Sequence, residues 1–307
     1  MVYTNFHQSQ IFRYFGFPIF DVGHPKLELQ DFRNGKYYWD LSPKFKYDNN
    51  LIDYLPIRTY NKKQDISPIN VAQVGIALLD TDYNRDSFYA INKWIKNNIF
   101  IRKGLCQFLI HYSVPTFGIS SPWLSGLGQG LMLSYLVRYH RKFGDEIFEQ
   151  IIDKVLLSLI SDVKNGGCCR KWKDHVIIEE YIGKRIIGVL NGHISAILGI
   201  RDFLEYYDDN TKIRSFLDEN IVNLRKNILE WNGKHWSYYN LHNPKLISSI
   251  FYQELHITQM NTLTKIYQSK EFEVFLAILN KQYYSFINRI IAFYLKYSDV
   301  LKGKQKI

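Results

Sequence analysis

The chain has 307 residues, of which 46% are hydrophobic and 22% charged, a balance that favours a globular protein with a sizeable core and excludes a disordered chain. Its net charge of +10 favours an acidic partner. No zinc finger, RNA-binding aromatic signature or basic helix accompanies that charge, so nucleic acid is not predicted as a partner.

Three cysteines, Cys106 and the adjacent pair Cys168 and Cys169, have neither disulfide nor zinc spacing, which favours a reducing compartment and predicts no metal. The first thirty residues lack a signal-peptide pattern, and no apolar run approaches the roughly 18 residues of a membrane span. These features predict a soluble, cytoplasmic protein.

Aromatic residues make up 16% of the chain, with 23 Tyr, 20 Phe and 6 Trp. Flat rings stack on sugar faces, so this excess suits a surface that handles carbohydrate, although an AT-rich coding bias explains it equally well.

Residues 1–65 are irregular and rich in aromatic residues, Asn, Asp, Pro and Gly. They are predicted to form an N-terminal arm with one or two short strands that wraps the body.

Helical periodicity begins at Ser67-Pro68, with Ser as the cap and Pro in the first turn. The pattern predicts about eight helices, which span 68–80, 84–98, 121–142, 145–163, 186–207, 210–230, 251–268 and 271–297. Their spacing in pairs favours a mainly α fold in which residues 66–307 form an α/α barrel (toroid), and a plain helical bundle is the alternative. The long connections 99–120, 163–185 and 231–250 contain most of the unusual residues, and loops on a rigid scaffold are where function usually lies.

Glycines interrupt the helical stretch SSPWLSGLGQGLMLSYLVRYH over 120–140. Ser121-Pro122 is predicted to start this helix, so three glycines (126, 128 and 130) fall early within it, where each costs roughly 1 kcal/mol relative to alanine. Close approach of a backbone or ligand would offset that cost, with Gln129 projecting from an uncrowded surface; a tight helix–helix crossing explains the glycines equally well. No phosphate-loop or dinucleotide-binding order is present, so no cofactor is predicted.

A second stretch, 176–199, places two adjacent carboxylates and a tyrosine in a loop just before two basic residues: Glu179, Glu180, Tyr181, Lys184 and Arg185. Adjacent carboxylates can raise one another's pKa, which is how acid/base pairs are tuned, although solvated surface residues have the same spacing.

In a third stretch, 236–259, Tyr252 and His256 share one face of a helix with Gln259, and Tyr239 precedes them in a loop. Phenols, imidazoles and a carboxylate in so short a span suit proton transfer, although a single buried tyrosine is more often structural.

Together these stretches resemble the C-terminal domain of the D-glucuronyl C5-epimerases, which convert D-glucuronate to L-iduronate within heparan-type chains. The family's Trp-x-Ser-x-x-x-Gln-Gly helix and following Leu-Val-Arg match 123–130 and 136–138, and its Glu-Glu-Tyr and Asn-Gly match 179–181 and 191–192. Its Tyr-Asp-Leu and Tyr-x-x-x-His-Ile-x-Gln segments match 239–241 and 252–259, and its early Pro-Val-Ser-x-Ala-Gln is similar to 68–73. The resemblance covers about 68–268 in the same order.

The resemblance implies an α/α barrel, a possible homodimer, and an acidic glucuronate-containing polysaccharide such as heparosan as substrate. It implies catalytic roles for the residues that match the family's, which are Tyr181, Tyr239, Tyr252 and Glu180. We expect Tyr181 and Tyr252 to exchange protons across the sugar ring, with Glu180 as a proton relay or an alternative base. Cations or hydrogen bonds would have to lower the phenol pKa, and the candidates are Lys184, Arg185, His242 and His256. Further predicted contacts to substrate or to the barrel mouth are Trp123, Gln129, Arg138 and Asn191.

The sequence also departs from the family's pattern. The family's Tyr-Asp-Leu-Arg-His is Tyr239-Asn240-Leu241-His242-Asn243 here, so an arginine that contacts substrate is missing. Its Trp-Asp-Tyr-His is 250–253, reading IFYQ, the proline expected after Glu-Glu-Tyr is Ile182, and its β-rich region is nearly absent. A polysaccharide lyase, a glycoside hydrolase and a non-catalytic polysaccharide-binding toroid therefore stay open as alternatives.

Overall fold

A computed structural model describes residues 13–15, 27–43, 51–52, 55–60, 63–81, 83, 85–207 and 210–301. The rest of the predicted N-terminal arm lies outside the described residues. The described chain is mainly α, as predicted. Its helices are α1 (Pro68–Asp80), α2 (Tyr89–Asn97), α3 (Gly126–Phe143), α4 (Glu146–Ile160), α5 (Leu190–Tyr206), α6 (Thr211–Asn227), α7 (Ile250–Tyr267), α8 (Lys270–Tyr284) and α9 (Phe286–Leu301).

Four helices, α1, α3, α5 and α7, lie side by side in chain order, and these four, without α9, are called the odd-numbered helices. They run parallel: Gly130 near the start of α3 contacts Ala196 of α5, and Arg138 further along α3 pairs with Asp202 further along α5. Helices α4, α6 and α8 each pack on the helix that precedes them. The N-terminal ends of the odd-numbered helices therefore meet at one end of the body, which positions the loops that enter them.

Pairs of helices of this kind are the unit of an α/α barrel, but a closed ring also requires α7 to pack against α1. That pair is not among the close helix packings of the described residues, so the closed toroid stays a prediction. The described helices also do not include one that is long and apolar enough to cross a membrane.

Close backbone packing explains the glycines at the start of α3. A Cβ placed on Gly130 would lie 2.5 Å from the Cα of Ala196, and one on Gly126 would lie 2.5 Å from the carbonyl oxygen of Glu179. Gly199 of α5 likewise faces the Gly130 backbone. The helix–helix crossing accounts for Gly130 and Gly199, whereas Gly126 allows the close approach of a loop backbone, the other explanation that the sequence left open; glycine lets two backbones approach where any side chain would collide.

Two predicted helix boundaries are wrong. Ser121–Pro122 does not start α3, because Trp123–Leu124 forms a strand and Ser125 caps the helix by accepting a backbone N–H in the first turn. The single helix predicted over 271–297 is two helices, since Ser285 adopts an extended conformation with ψ of 114° and separates α8 from α9.

Part of the predicted N-terminal arm packs on the body, because Tyr37, Tyr38 and Trp39 are buried in the main core.

Short antiparallel strands lie between the helices. The strands are β1 (Leu51–Ile52), β2 (Leu55–Tyr60) and β3 (Lys63–Ile66) in one sheet, and the pairs β4 (Phe100–Arg102) with β5 (Leu105–Gln107), β6 (Leu109–Ile110) with β7 (Trp123–Leu124), and β8 (Cys169–Trp172) with β9 (His175–Ile178).

Candidate active site

Three tyrosines meet at the N-terminal ends of the odd-numbered helices. Tyr181 follows strand β9, Tyr239 lies in the connection before α7, and Tyr252 lies in the first turn of α7. The hydroxyls of Tyr181 and Tyr239 are 3.4 Å apart, and the ring centroids of Tyr239 and Tyr252 are 4.7 Å apart at an interplanar angle of 56°. The structure thus brings together the three phenols that the sequence analysis singled out, with Tyr239 in contact with both others. We call these three residues the tyrosine cluster.

Aromatic side chains from the connection 99–120 and from β7 form one wall of the cluster. The ring of Trp123 lies 5.2 Å from that of Tyr181, and its indole N–H donates to the carbonyl oxygen of Tyr112 at 2.6 Å. Phe117 lies 4.9 Å from Tyr181 and stacks on Tyr239 at 6.4 Å. Sequence reasoning missed Phe117, and its position in one of the three long connections was the signal that could have indicated it.

The carboxylate of Glu180 lies buried beside the cluster. It accepts a hydrogen bond from the Tyr239 hydroxyl at 3.4 Å and one from the Asn191 side-chain amide at 3.3 Å. Burial raises the pKa of Glu180 from 4.5 to about 7, while bonds from Tyr181, Tyr239 and Asn191 oppose the increase. A carboxyl group with a pKa near neutrality can both accept and return a proton at physiological pH.

Burial also sets where negative charge resides in this site. Desolvation, followed by repulsion from Glu180, raises the pKa of the Tyr181 and Tyr239 phenols well above their usual value of 10. The first proton of the group to be lost is therefore that of Glu180, and the phenols stay protonated as hydrogen-bond donors. In the free protein the negative charge of this group therefore resides on Glu180, and Tyr181 and Tyr239 are neutral.

Glu179 points away from the cluster despite being the neighbour of Glu180. Its oxygens accept the backbone N–H groups of Ile187 and Gly188 at 3.0 and 2.9 Å, and Arg170 lies 3.7 Å away. Burial raises the pKa of Glu179 to about 7, against the lowering effect of these two backbone bonds. The two carboxylates therefore have different tasks, since Glu179 fixes the loop that leads into α5.

The start of α5 is joined to the middle of α7 beneath the cluster. The amide N–H of buried Gln259 donates to the carbonyl oxygen of Asn191 at 3.0 Å and to Ser195 at 3.2 Å. This bond fixes Asn191, whose own amide holds Glu180, so helix-to-helix packing determines the position of the carboxylate. Gln259 thus reaches the site through Asn191 rather than directly.

The histidines and basic residues predicted to supply positive charge occupy other places. His256 is buried with its Nδ1 2.9 Å from the Ser237 hydroxyl, and desolvation lowers its pKa to about 3, so it is neutral and the predicted cationic role is wrong. Lys184 and Arg185 are exposed on the loop after Tyr181, and His242 is half-buried with its backbone N–H bound to Ile187.

Two other predicted site residues lie away from the cluster. The buried side chain of Gln129 donates to the Cys106 carbonyl oxygen and accepts the Phe108 N–H, which ties α3 to strand β5. Arg138 lies at the opposite end of α3, where it forms a two-pronged ion pair with buried Asp202 at 2.9 and 3.0 Å. The structure gives both residues packing roles and does not bring them to the tyrosines.

The described chain is thus a mainly helical protein in which three phenols and the buried carboxylate of Glu180 lie together at the N-terminal ends of the odd-numbered helices. A family model described as the D-glucuronyl C5-epimerase C-terminus matches residues 103–281, which is more than half of the chain. The chain belongs to this family, and the resemblance seen in its motifs is confirmed. A comparison with curated proteins finds no match.

Proposed function

We propose that the protein is a uronyl C5-epimerase that converts D-glucuronate to L-iduronate residues in a heparosan-like acidic polysaccharide. The observation that carries this proposal is a series of contacts that joins three phenols to one carboxylate: Tyr181 to Tyr239, Tyr239 to Tyr252, and Tyr239 to Glu180. Epimerisation at C5 needs a proton acceptor on one face of the sugar and a donor on the other. Membership of the epimerase family supports the same chemistry.

In this proposal the C5 proton leaves through a relay. The bond from C5 to its hydrogen breaks as the proton passes to the Tyr181 oxygen, the Tyr181 proton passes to Tyr239, and the Tyr239 proton passes to the Glu180 carboxylate. The two 3.4 Å separations between these groups in the free protein are long for hydrogen bonds, and such contacts commonly shorten when substrate binds. The electron pair of the broken bond remains on the substrate as an enediolate.

Tyr252 completes the inversion by donating its hydroxyl proton to C5 from the opposite face. The result is a protonated Glu180 and a Tyr252 phenolate, which exchange with solvent to restore the starting state. Since Tyr239 contacts both other tyrosines, a sugar ring bound between Tyr181 and Tyr252 would lie over it.

The developing enediolate needs positive potential, because removing a proton next to a carboxylate creates a second negative charge. Helices α5 and α7 both begin at the cluster, and the N-terminus of a helix carries roughly half a positive charge. Lys184 and Arg185 on the adjacent exposed loop are the side chains in reach of a long polyanionic substrate, and the proposal keeps them as substrate contacts.

A glycoside hydrolase is disfavoured by the position of the second carboxylate it would need. Glu254 bonds to Arg13 and to the Tyr283 hydroxyl at 2.7 Å, and Glu179 is held by backbone N–H groups. Neither faces Glu180 across the tyrosine cluster, as a pair of hydrolytic carboxylates must face each other across a glycosidic bond.

The test is to incubate the protein in heavy water with heparosan and with its N-sulfated form and to follow C5 by NMR. Iduronate signals together with deuterium at C5 are the expected result, and the two polymers compare the preference for sulfation. A 4,5-unsaturated product that absorbs in the ultraviolet would instead establish a lyase, and shortened chains without C5 exchange a hydrolase. Binding with neither exchange nor cleavage would contradict an enzymatic function on these polymers.

A further inference from the structure

A cavity of about 1020 Å³ lies at the end of the odd-numbered helices opposite to the tyrosine cluster. Its walls come from the last turns of α1, α3, α5 and α7 and from residues 32–36 of the N-terminal arm. Tyr252 and Lys265 mark the two ends of α7, and at about 1.5 Å per residue they are separated by about 20 Å. The cavity is therefore distinct from the tyrosine cluster.

Exposed positive side chains from three separate parts of the chain line this cavity. The arm contributes Arg33 and Lys36, the end of α3 contributes Arg141 and Lys142, and the end of α7 contributes Lys265. Cations near the last turn of a helix complement its dipole, which explains the three helical residues one by one. It does not explain why the arm adds two more, because like charges gathered at one place repel each other.

The acidic groups at the cavity are largely engaged within the protein. Arg138 pairs with Asp202 beneath the wall, and Arg201 pairs with Glu205 at 2.5 Å. Asp80 accepts the Tyr37 backbone N–H, and burial raises its pKa to about 6. Among the residues that line the cavity, Asp80 is then the carboxylate left to offset the exposed cations Arg33, Lys36, Arg141 and Lys265, so the wall carries a net positive charge.

The aromatic rings in the wall favour a charged ligand over a nucleobase. The Arg141 guanidinium lies 4.3 Å from the centroid of the Tyr206 ring, and the Arg201 guanidinium lies 5.8 Å from that of Phe32. A single-stranded nucleic acid stacks its bases on aromatic faces. Here a guanidinium already lies over each of the two rings, so the groups that the cavity presents are positive charges.

We propose that this cavity is a second binding site, which holds a segment of an acidic glycan through its carboxylate or sulfate groups. The size of the cavity suits several sugar units, and the spread of its cations over three elements suits a ligand that carries several charges. The choice of a glycan as the polyanion rests on the proposed function, whereas the anion-binding character rests on the cavity alone.

The test is to measure binding of a fluorescent N-sulfated heparosan oligosaccharide to the full chain by anisotropy. The variant Arg33→Ser/Lys36→Ser/Lys265→Ser removes three cavity cations and is expected to weaken binding about tenfold. A control variant, Lys93→Ser/Lys171→Ser/Lys281→Ser, removes the same charge from exposed positions outside the cavity and is expected to weaken binding less than about twofold.

Equal loss of affinity in both variants would overturn the proposal, since it would show attraction by net charge alone. Competition by single-stranded DNA at the same charge concentration, as effective as that by the glycan, would overturn the glycan assignment. C5 exchange on a tetrasaccharide, too short to span both ends, is expected to be unchanged in the cavity variant. If the unmodified protein shows no C5 exchange while the difference between the two variants persists, the proposed function fails and this site stands.

Discussion

Glu180 occupies the space that a side chain at position 192 would need: a Cβ built on Gly192 would lie 2.5 Å from the Cβ of Glu180 and 2.6 Å from one of its carboxylate oxygens. The glycine in the first turn of α5 thus lets a buried carboxylate lie against the helix. Its neighbour Asn191 then donates to that carboxylate. The glycine at position 192 and the position of the Glu180 carboxylate in the candidate site therefore depend on each other.

Substituting Gly192 by alanine should therefore displace Glu180. We expect a loss of about 1–3 kcal/mol in unfolding free energy, as for other overpacked sites, and a fall in C5 exchange, measured by urea unfolding and by NMR. Gly128→Ala is the matched control on α3, because its nearest obstacle is a flexible side-chain atom of Ile69 at 3.3 Å. If Gly192→Ala behaves like this control, Glu180 is not held as described.

Removing the Tyr239 hydroxyl should interrupt the relay through Tyr239 and leave the bond from Tyr181 as the remaining phenol contact to Glu180. Tyr239→Phe keeps the ring contacts with Phe117 and Tyr252 but removes the bond to the carboxylate. We expect kcat to fall roughly 100-fold or more, as for the loss of a general acid–base group, with little change in unfolding free energy. Tyr238→Phe removes a neighbouring phenol that packs in a different cluster, and its activity should match that of the unaltered protein.

The pH dependence of activity should follow the carboxyl group of Glu180. Its pKa of about 7 means that the carboxylate, which accepts the proton in our proposal, is lost as the pH falls below about 7. The rate of C5 exchange should therefore rise through neutral pH and level off above it. Glu180→Gln should be nearly inactive at every pH, and a Glu180→Gln rate that still rises through pH 7 would assign that titration to another group.

Because of the same raised pKa of Glu180, stability should fall as the pH rises, whereas activity should increase. The folded state binds the Glu180 proton more tightly than the unfolded state, whose pKa is near 4.5, so stability from this group is present below pH 4.5 and is lost as pH rises to about 7. The full difference is of the order of 3 kcal/mol. Glu180→Gln should make this part of the stability profile less steep in urea unfolding, with the contribution of Glu179 remaining, whereas Glu146→Gln on the surface should leave the slope unchanged.

Arg138 should matter for folding and not for the chemistry. Arg138→Met leaves buried Asp202 without its ion pair, which is expected to cost about 3–5 kcal/mol, and the double variant Arg138→Met/Asp202→Asn should recover part of that loss. The KM of the folded fraction should be unchanged for a tetrasaccharide. A raised KM with normal stability would instead restore the substrate-binding role predicted from sequence.

Helix positions were readable from the sequence, but the arrangement of the helices was not. The period of the apolar residues and the Ser67-Pro68 start predicted α1 within its true bounds. The same periodicity runs across Ser285 without a break, so one helix was predicted where there are two. The early glycines of α3 could be recognised as unusual, but their partners, Ala196 and Glu179, are distant in sequence, so the sequence could not choose between a ligand and a packed backbone.

The tyrosines of the candidate site were found because their motifs lie in loops or first turns, and those meet when the odd-numbered helices run parallel. Arg138 shares a motif with Trp123 but lies fifteen residues further along the chain, so α3 carries it to the other end of the body. His256 matches the family's pattern yet is neutral, because burial, which its sequence neighbours do not reveal, lowers its pKa to about 3.

The most direct test of the tyrosine mechanism is the rate at which Tyr252→Phe forms iduronate from a glucuronate polymer in heavy water, compared with the unaltered protein. Circular dichroism and urea unfolding would establish that the variant is folded. We predict iduronate formation slower by roughly 100-fold or more, because the variant has no hydroxyl to return a proton to the second face. A folded Tyr252→Phe protein that forms iduronate at the full rate would contradict the account.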